Sequence, residues 1–296
     1  MIQGVILGLC AAFFQSGSYL FTKRYVAEFE KSTLGLLVAS HCIMGIFSVA
    51  LLPFFFPSHL PPVSHITFPL VFGVASYIAA QTAFFLSLKS ADASRVSPLL
   101  GLKILILAAI SITILRRHFG LLQWSGIAVS LVAAYLLGSS GSPLTLRSWG
   151  FIAAACLFYS LSDLCIRQLI VQFNYLGLFD AAVVSTCLCY VLAGAAAACC
   201  LPFAKLRPMR RWRLAFPFAV FWFAGILFLF GCFGSIGVVF GNIVQSTRGV
   251  LSLGMGWVVA FLGHEHIEEK ISARVFAHRA IAGFLMVGAI ALFYLG

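Results

Sequence analysis

Apolar runs of about 18 or more residues follow one another along the chain, parted by short polar connectors. Each run is long enough to cross about 30 Å of hydrocarbon as an α-helix. Their lengths and flanks predict about ten spans, near residues 2–22, 34–56, 66–88, 96–115, 120–138, 149–170, 177–200, 214–233, 238–262 and 279–295. The connectors leave no room for a separate soluble domain. The predicted fold is therefore an all-α integral membrane protein of about ten transmembrane helices. The first run lacks a basic n-region and a cleavage site, so it is expected to stay as a span rather than act as a signal peptide.

The pattern of polar residues inside the runs predicts an internal duplication. Phe14-Gln15-Ser16-Gly17-Ser18 matches Phe158-Tyr159-Ser160-Leu161-Ser162 at an offset of 144, which also sets Lys23 on Arg167. The fourth and ninth spans match at an offset of 145, which sets Arg248 on Lys103 and Asn242 on Ser97. The linker-like Ser139-Ser140-Gly141-Ser142-Pro143 divides the chain, giving a first repeat over 1–138, a linker over 139–148 and a second repeat over 149–296. Five spans per repeat is odd, so the second repeat crosses in the opposite sense. Inverted repeats of this kind are typical of secondary transporters, with the substrate site near the midplane.

Composition agrees with a membrane protein and narrows its partners. The chain is 62% hydrophobic and 9% charged, with a formal net charge of +11. The basic residues are scattered over short loops rather than gathered on one face, which suits anionic lipid headgroups and argues against nucleic acid. After the odd-numbered spans lie Lys23, Arg24, Lys31, Lys89, Arg95, Arg147, Lys205, Arg207, Arg210, Arg211, Arg213, Lys270, Arg274 and Arg279; the opposite face has Arg116, Arg117 and Arg167. The positive-inside rule places the first set in the cytoplasm of a plasma (inner) membrane protein, with both termini outside. The nine cysteines show no zinc or redox spacing and behave as small hydrophobes. His264-Glu265-His266 lacks the H-E-x-x-H spacing, no Gly-rich phosphate loop follows a strand, and no nucleophile–base set is apparent. The expectation is a protein without catalytic residues, metal or cofactor. The connector 263–279 holds Glu265, Glu268 and Glu269, and Ile267, Ile271 and Val275 share one helical face, which predicts a short interfacial helix or a solvated connector.

The candidate chemistry centres on two intramembrane cations. A cation at mid-span costs roughly 2.5–3.5 kcal/mol on insertion scales, so Lys103 and Arg248 read as contacts for a negative cargo. Lys103 is expected about seven residues into the fourth span, and Arg248 about ten into the ninth. Gln245, Arg248 and Ser252 fall at i, i+3 and i+7, one face of a continuous helix. Asn242, Gln245, Ser97, Tyr19, Gln15 and Gln81 are the further substrate-binding candidates, with Ser16, Ser160 and Ser162 beside them; interhelical hydrogen bonding is the alternative for each. Asp163 and Arg167, one helical turn apart, and Asp180 are candidates for a gate or a static pair, and Asp163 for a coupling proton. His41, inside the second span, is a titratable gate or coupling candidate or a hydrogen-bonded core residue. Gly4/Gly8 and Gly237/Gly241 form G-x-x-x-G pairs suited to close helix packing. Pro98 is tolerated near the start of the fourth span.

The run Ser87 to Leu100 (SLKSADASRVSPLL), with Leu121-Leu122-Gln123-Trp124-Ser125-Gly126-Ile127-Ala128 and Gly138, resembles the EamA type of the drug/metabolite transporter superfamily. There a small-residue loop leads into the fourth helix and L-x-Q-x-x-G opens the fifth. Gly263-His264-Glu265, Gly283 and Gly288 echo the second copy more weakly. The resemblance implies ten helices, two inverted halves and a central cavity. Lys103 stands where the family often has proline, Arg116 or Arg117 where it has glutamate, and family members usually keep both termini in the cytoplasm. Sugar-phosphate carriers of the wider superfamily hold phosphate with lysine and arginine, an analogy to the pair here.

The functional expectation is a secondary transporter moving a small organic anion or amphipathic metabolite, a carboxylate or phosphate ester, by alternating access. A flippase for an anionic lipid carrier and a non-transporting membrane scaffold or sensor are the alternatives. The expected partners are the substrate, membrane lipids and a coupling proton.

Overall fold

The computed structural model describes residues 1–29, 33–87, 96, 99–114, 116, 118–138, 144–204, 206, 209–261 and 273–296. Ser97, Pro98, the loop 88–95, the linker 139–143, Lys31, Arg117, Lys205, Arg207 and the acidic connector 262–272 lie outside the described residues. Among the described residues there are eleven α-helices: α1 (Ile2–Glu28), α2 (Thr33–Phe55), α3 (Val63–Ser87), α4 (Lys103–Thr113), α5 (Leu121–Gly138), α6 (Leu146–Gln172), α7 (Leu178–Cys199), α8 (Met209–Ile236), α9 (Val238–Gln245), α10 (Arg248–Phe261) and α11 (Ala273–Leu295). Short 3-10 turns at Leu100–Leu102, Asn174–Leu176 and Leu201–Phe203 precede α4, precede α7 and follow α7. Six helices have the length and hydropathy of a membrane span. Their outward side chains are large and apolar, Phe54 and Phe179 among them, as lipid contact requires. The protein is a multi-span, all-α membrane protein.

Two expectations about the spans change. The predicted ninth span, 238–262, is interrupted at Ser246–Thr247 and forms α9 and α10. The predicted fourth span, 96–115, contains the 3-10 turn and then the 11-residue α4. The cause at the first interruption is local. Ser246 Oγ donates to the Ile243 carbonyl (2.5 Å) and Thr247 Oγ1 to the Val244 carbonyl (2.8 Å). These hydroxyls compete for carbonyls of the helical ladder. The backbone there tightens to i→i−3 bonds, Thr247 N to Val244 O (3.2 Å) and Gly249 N to Ser246 O (3.2 Å). The predicted face Gln245–Arg248–Ser252 therefore does not lie on one continuous helix.

Compactness divides the chain into Met1–Ile78 with Leu161–Ile236, and Ala79–Ser160 with Gly237–Gly296. Each unit draws on both sequence halves. In the first, α1 and α8 run antiparallel over their whole lengths. A Cβ on Gly4 would meet Ser235 and Ile236, one on Gly17 would meet Phe221, and one on Gly225 would meet Gln15. Phe14 stacks on Phe228 (5.5 Å), and Arg210 at the start of α8 pairs with Glu28 at the end of α1 (2.6 Å). α2 and α7 cross so closely that a Cβ on Gly45 would lie 2.9 Å from the Gly194 Cα. Small residues permit such approach where lipid gives no hydrophobic drive to pack.

In the second unit α5 packs on α11. A Cβ on Gly126 would meet the backbone of Ala289 and Phe293, and Ala133, Ala134, Ala282 and Met286 form a buried cluster. Gly237, expected as a packing glycine, has open space at its Cβ position and φ +78. It is the single residue joining α8 to α9, and a side chain there would strain the left-handed backbone.

Candidate functional site

The second unit brings the two cations to equivalent local settings. Lys103 is the first residue of α4, directly after the 3-10 turn, and Arg248 is the first residue of α10, directly after the Ser246–Thr247 turn. Neither lies midway along a helix, as the spacing predicts. Both are buried, at 5% and 7% exposure. Two buried side-chain cations thus belong to one unit.

Local contacts hold Lys103 in place. Its Nζ lies 5.4 Å from the centroid of the Tyr159 ring, a cation–π contact. Its carbonyl accepts the Ser160 hydroxyl (3.3 Å), which also reaches the Cys156 carbonyl (2.7 Å). The Cys156 thiol points to the Leu99 carbonyl (3.7 Å). Lys103 and Arg248 both act electrostatically on Cys156, so α4, α6 and α10 bring the two charges toward one thiol. α9 packs against α4 and carries Asn242 and Gln245, both buried. Asn242 Nδ2 donates to the Val238 carbonyl (2.8 Å), and Met286 Sδ lies 2.9 Å from the Ser246 hydroxyl oxygen. Ser252 bonds back to the Gly249 carbonyl (2.9 Å). Gln81 is also in this unit and buried.

The remaining candidates belong to the first unit. Gln15 is buried against Gly225 of α8. Tyr19 meets Trp222 edge-on at 6.3 Å. Ser16 returns its hydrogen bond to Ala12 (2.7 Å). Asp163 is buried and Arg167 half-buried, one turn apart on α6. Asp180 stands in the first turn of α7, where the helix start favours a carboxylate.

His41 lies in a network that the sequence reading misses in part. Tyr77, Tyr190 and Trp222 join it through bonds of 2.9–3.1 Å. The signal was present: a Tyr or Trp inside a span needs a partner for its polar atom. At the end of α1, Arg211 lies over the Phe29 ring (4.7 Å). Burial holds the Tyr25 phenol above its ordinary range, and Arg211 pulls it the other way. Among the described residues no group of three or more His, Cys, Asp or Glu is placed to hold a metal ion.

Residues 2–139 match the family model described as the EamA-like transporter family. The match falls in the first half of the chain. One solved crystal structure is similar to nearly the whole chain, with a TM-score of 0.65 at 16% identity, covering 99% of this chain and 96% of that one. At that identity the likeness shows the fold alone. No curated protein matches the chain.

Proposed function

We propose that this protein is a secondary transporter of the drug/metabolite type, and that it moves a small organic anion, a carboxylate or phosphate ester, by alternating access. Lys103 and Arg248 hold the negative group. The observation that carries the reading is the burial of both cations in one unit, both acting on one thiol, Cys156. Discontinuous helices whose ends face the cargo recur at transporter sites. The EamA match over the first half supports transport as the activity. Asn242 and Gln245, on the short helix leading to Arg248, orient the rest of the cargo, with Gln81 of the same unit as a further contact. Asp163, Arg167 and Asp180 gate the path. The two sequence repeats, 1–138 and 149–296, are inverted copies.

The basic odd-numbered loops face the cytoplasm. The Glu28–Arg210 pair sets the end of α1 and the arginine-rich start of α8 at one level, so these two basic ends share a side. A cysteine placed at Arg210 is then labelled from the inside only.

The transport reading is tested by uptake into proteoliposomes of labelled carboxylates, phosphate esters, amines and neutral solutes. Uptake confined to acids, and lost when Lys103 and Arg248 are both methionine, supports the assignment. Uptake of amines or neutral solutes alone refutes it.

A further inference from the structure

α8 begins among arginines. Its first residues read Met209-Arg210-Arg211-Trp212-Arg213, and the apolar span follows without a break. Arg210 and Arg213 stand three residues apart, so they are neighbours on the helix surface. Both are exposed. Arg210 pairs with Glu28 at 2.6 Å, yet its side chain stays 69% exposed. An ion pair that open holds its arginine weakly. At i+3 and i+7 from Arg213, on the same stripe, lie Phe216 and Val220, exposed at 50% and 38%. Arg213 therefore tops a run of apolar side chains that face outward from a membrane-spanning helix. Val220 is about 10 Å farther along the axis, at about 1.5 Å per residue.

Trp212 marks the level of these arginines. It is half-buried, and its indole N–H donates to the Leu206 carbonyl (3.2 Å), which ties the start of α8 to the connector before it. Tryptophan concentrates at the membrane–water boundary, at headgroup height. The charge at this end does not depend on which ion pairs form. The Glu28–Arg210 pair joins the segments 23–31 and 205–213, which by sequence hold eight lysines and arginines and two acids, Glu28 and Glu30. If both acids are paired one to one, six cations remain.

We propose that the start of α8 binds one anionic phospholipid, whose phosphate sits between Arg210 and Arg213 and whose acyl chain lies along Phe216 and Val220. The guanidinium fork matches phosphate oxygens and gives two charge-assisted hydrogen bonds at once. A soluble anion would use the arginines and leave the stripe below them untouched. A phospholipid joins a phosphate to a chain and uses both. A zwitterionic lipid brings its own ammonium, which this end of the bundle repels, so an anionic headgroup is preferred. The site lies within the first unit and shares no residue with Lys103 and Arg248, so it does not rest on the transporter reading.

Native mass spectrometry of the full-length protein, from micelles doped with equal phosphatidylglycerol and phosphatidylcholine, tests the site. Wild type should retain one phosphatidylglycerol in preference to phosphatidylcholine. A basic side chain near an anionic headgroup contributes about fivefold in affinity, so Arg210→Gln and Arg213→Gln should each weaken retention about fivefold, and the two together about thirtyfold. Arg24→Gln, which removes an exposed arginine at the end of α1, should leave retention nearly unchanged. Glycerol 3-phosphate at the lipid's concentration should not displace it. If the double variant fails to fold, Arg213→Gln alone decides. Equal retention of the two lipids, or undiminished retention without the two arginines, overturns the proposal. So does a loss in Arg24→Gln as large as in Arg213→Gln, which means diffuse charge, or displacement by glycerol 3-phosphate, which means a site for free phosphate.

Discussion

Replacing Arg248 by methionine separates a cargo-binding cation from a structural one. Arg248 is buried at the first residue of α10. A charge-assisted hydrogen bond contributes about 1.5–3 kcal/mol, so its loss raises the half-saturation concentration for uptake by about 10- to 150-fold. Arg248→Lys keeps the charge and loses the planar fork, so it should fall between wild type and methionine. Stability should move the other way. The methionine removes a cation that costs roughly 2.5–3.5 kcal/mol in an apolar span. Where the cargo is the main counter-charge of Arg248, the substrate-free variant melts no lower than wild type. If Arg248 instead balances a buried acid, the methionine strands that acid at a cost of about 3–5 kcal/mol, and the melting temperature falls. The assay is uptake kinetics in proteoliposomes beside a thermal melt of the same preparation. Unchanged half-saturation together with a lowered melting temperature would refute the reasoning.

Other outcomes follow from the packing and the turns. Gly194→Leu drives a side chain into the Gly45 backbone, and overpacking of this kind costs about 1–3 kcal/mol, read as a lower melting temperature. Gly237→Ala places a Cβ on a backbone at φ +78 and costs about 1–2 kcal/mol in the same assay. Ser246→Ala with Thr247→Ala removes both hydroxyls that compete with the helical ladder; uptake should fall while the melting temperature holds or rises. Glu28→Ala breaks an ion pair whose arginine is well exposed, and should change stability by less than about 1 kcal/mol.

Membrane physics made most of the fold legible. A helix in lipid must satisfy its own backbone and cover itself with apolar side chains, so span positions follow from runs of apolar residues. Hydropathy measures the hydrocarbon crossing, not the helix. α1 therefore continues past residue 22 through Lys23 and Arg24 to Glu28, and α8 begins at Met209, before Arg210, Arg211 and Arg213. The interruption at Ser246–Thr247 escaped because hydroxyl residues barely lower the hydropathy of a span. The tandem Ser-Thr beside a buried arginine was the usable sign. Gly237 was read by spacing alone, and spacing cannot tell a packing glycine from one that sets a left-handed turn. Lys103 and Arg248 were legible because charge in oil is conspicuous. Tyr77, Tyr190 and Trp222 were not, since their rings satisfy the apolar pattern and only their polar atoms betray a network.

The claim that Lys103 and Arg248 bind a negative group is tested most directly by thermal stabilisation of purified protein with ligands that differ only in charge. A transported carboxylate, its amide and its methyl ester form such a set. A ligand that binds only the folded state, at 100 times its dissociation constant, adds about 2.7 kcal/mol of stability. The account predicts that the carboxylate alone raises the melting temperature of the wild type, and that the rise disappears when both cations are methionine. Equal stabilisation by the amide, or a carboxylate effect that persists without the two cations, would contradict it.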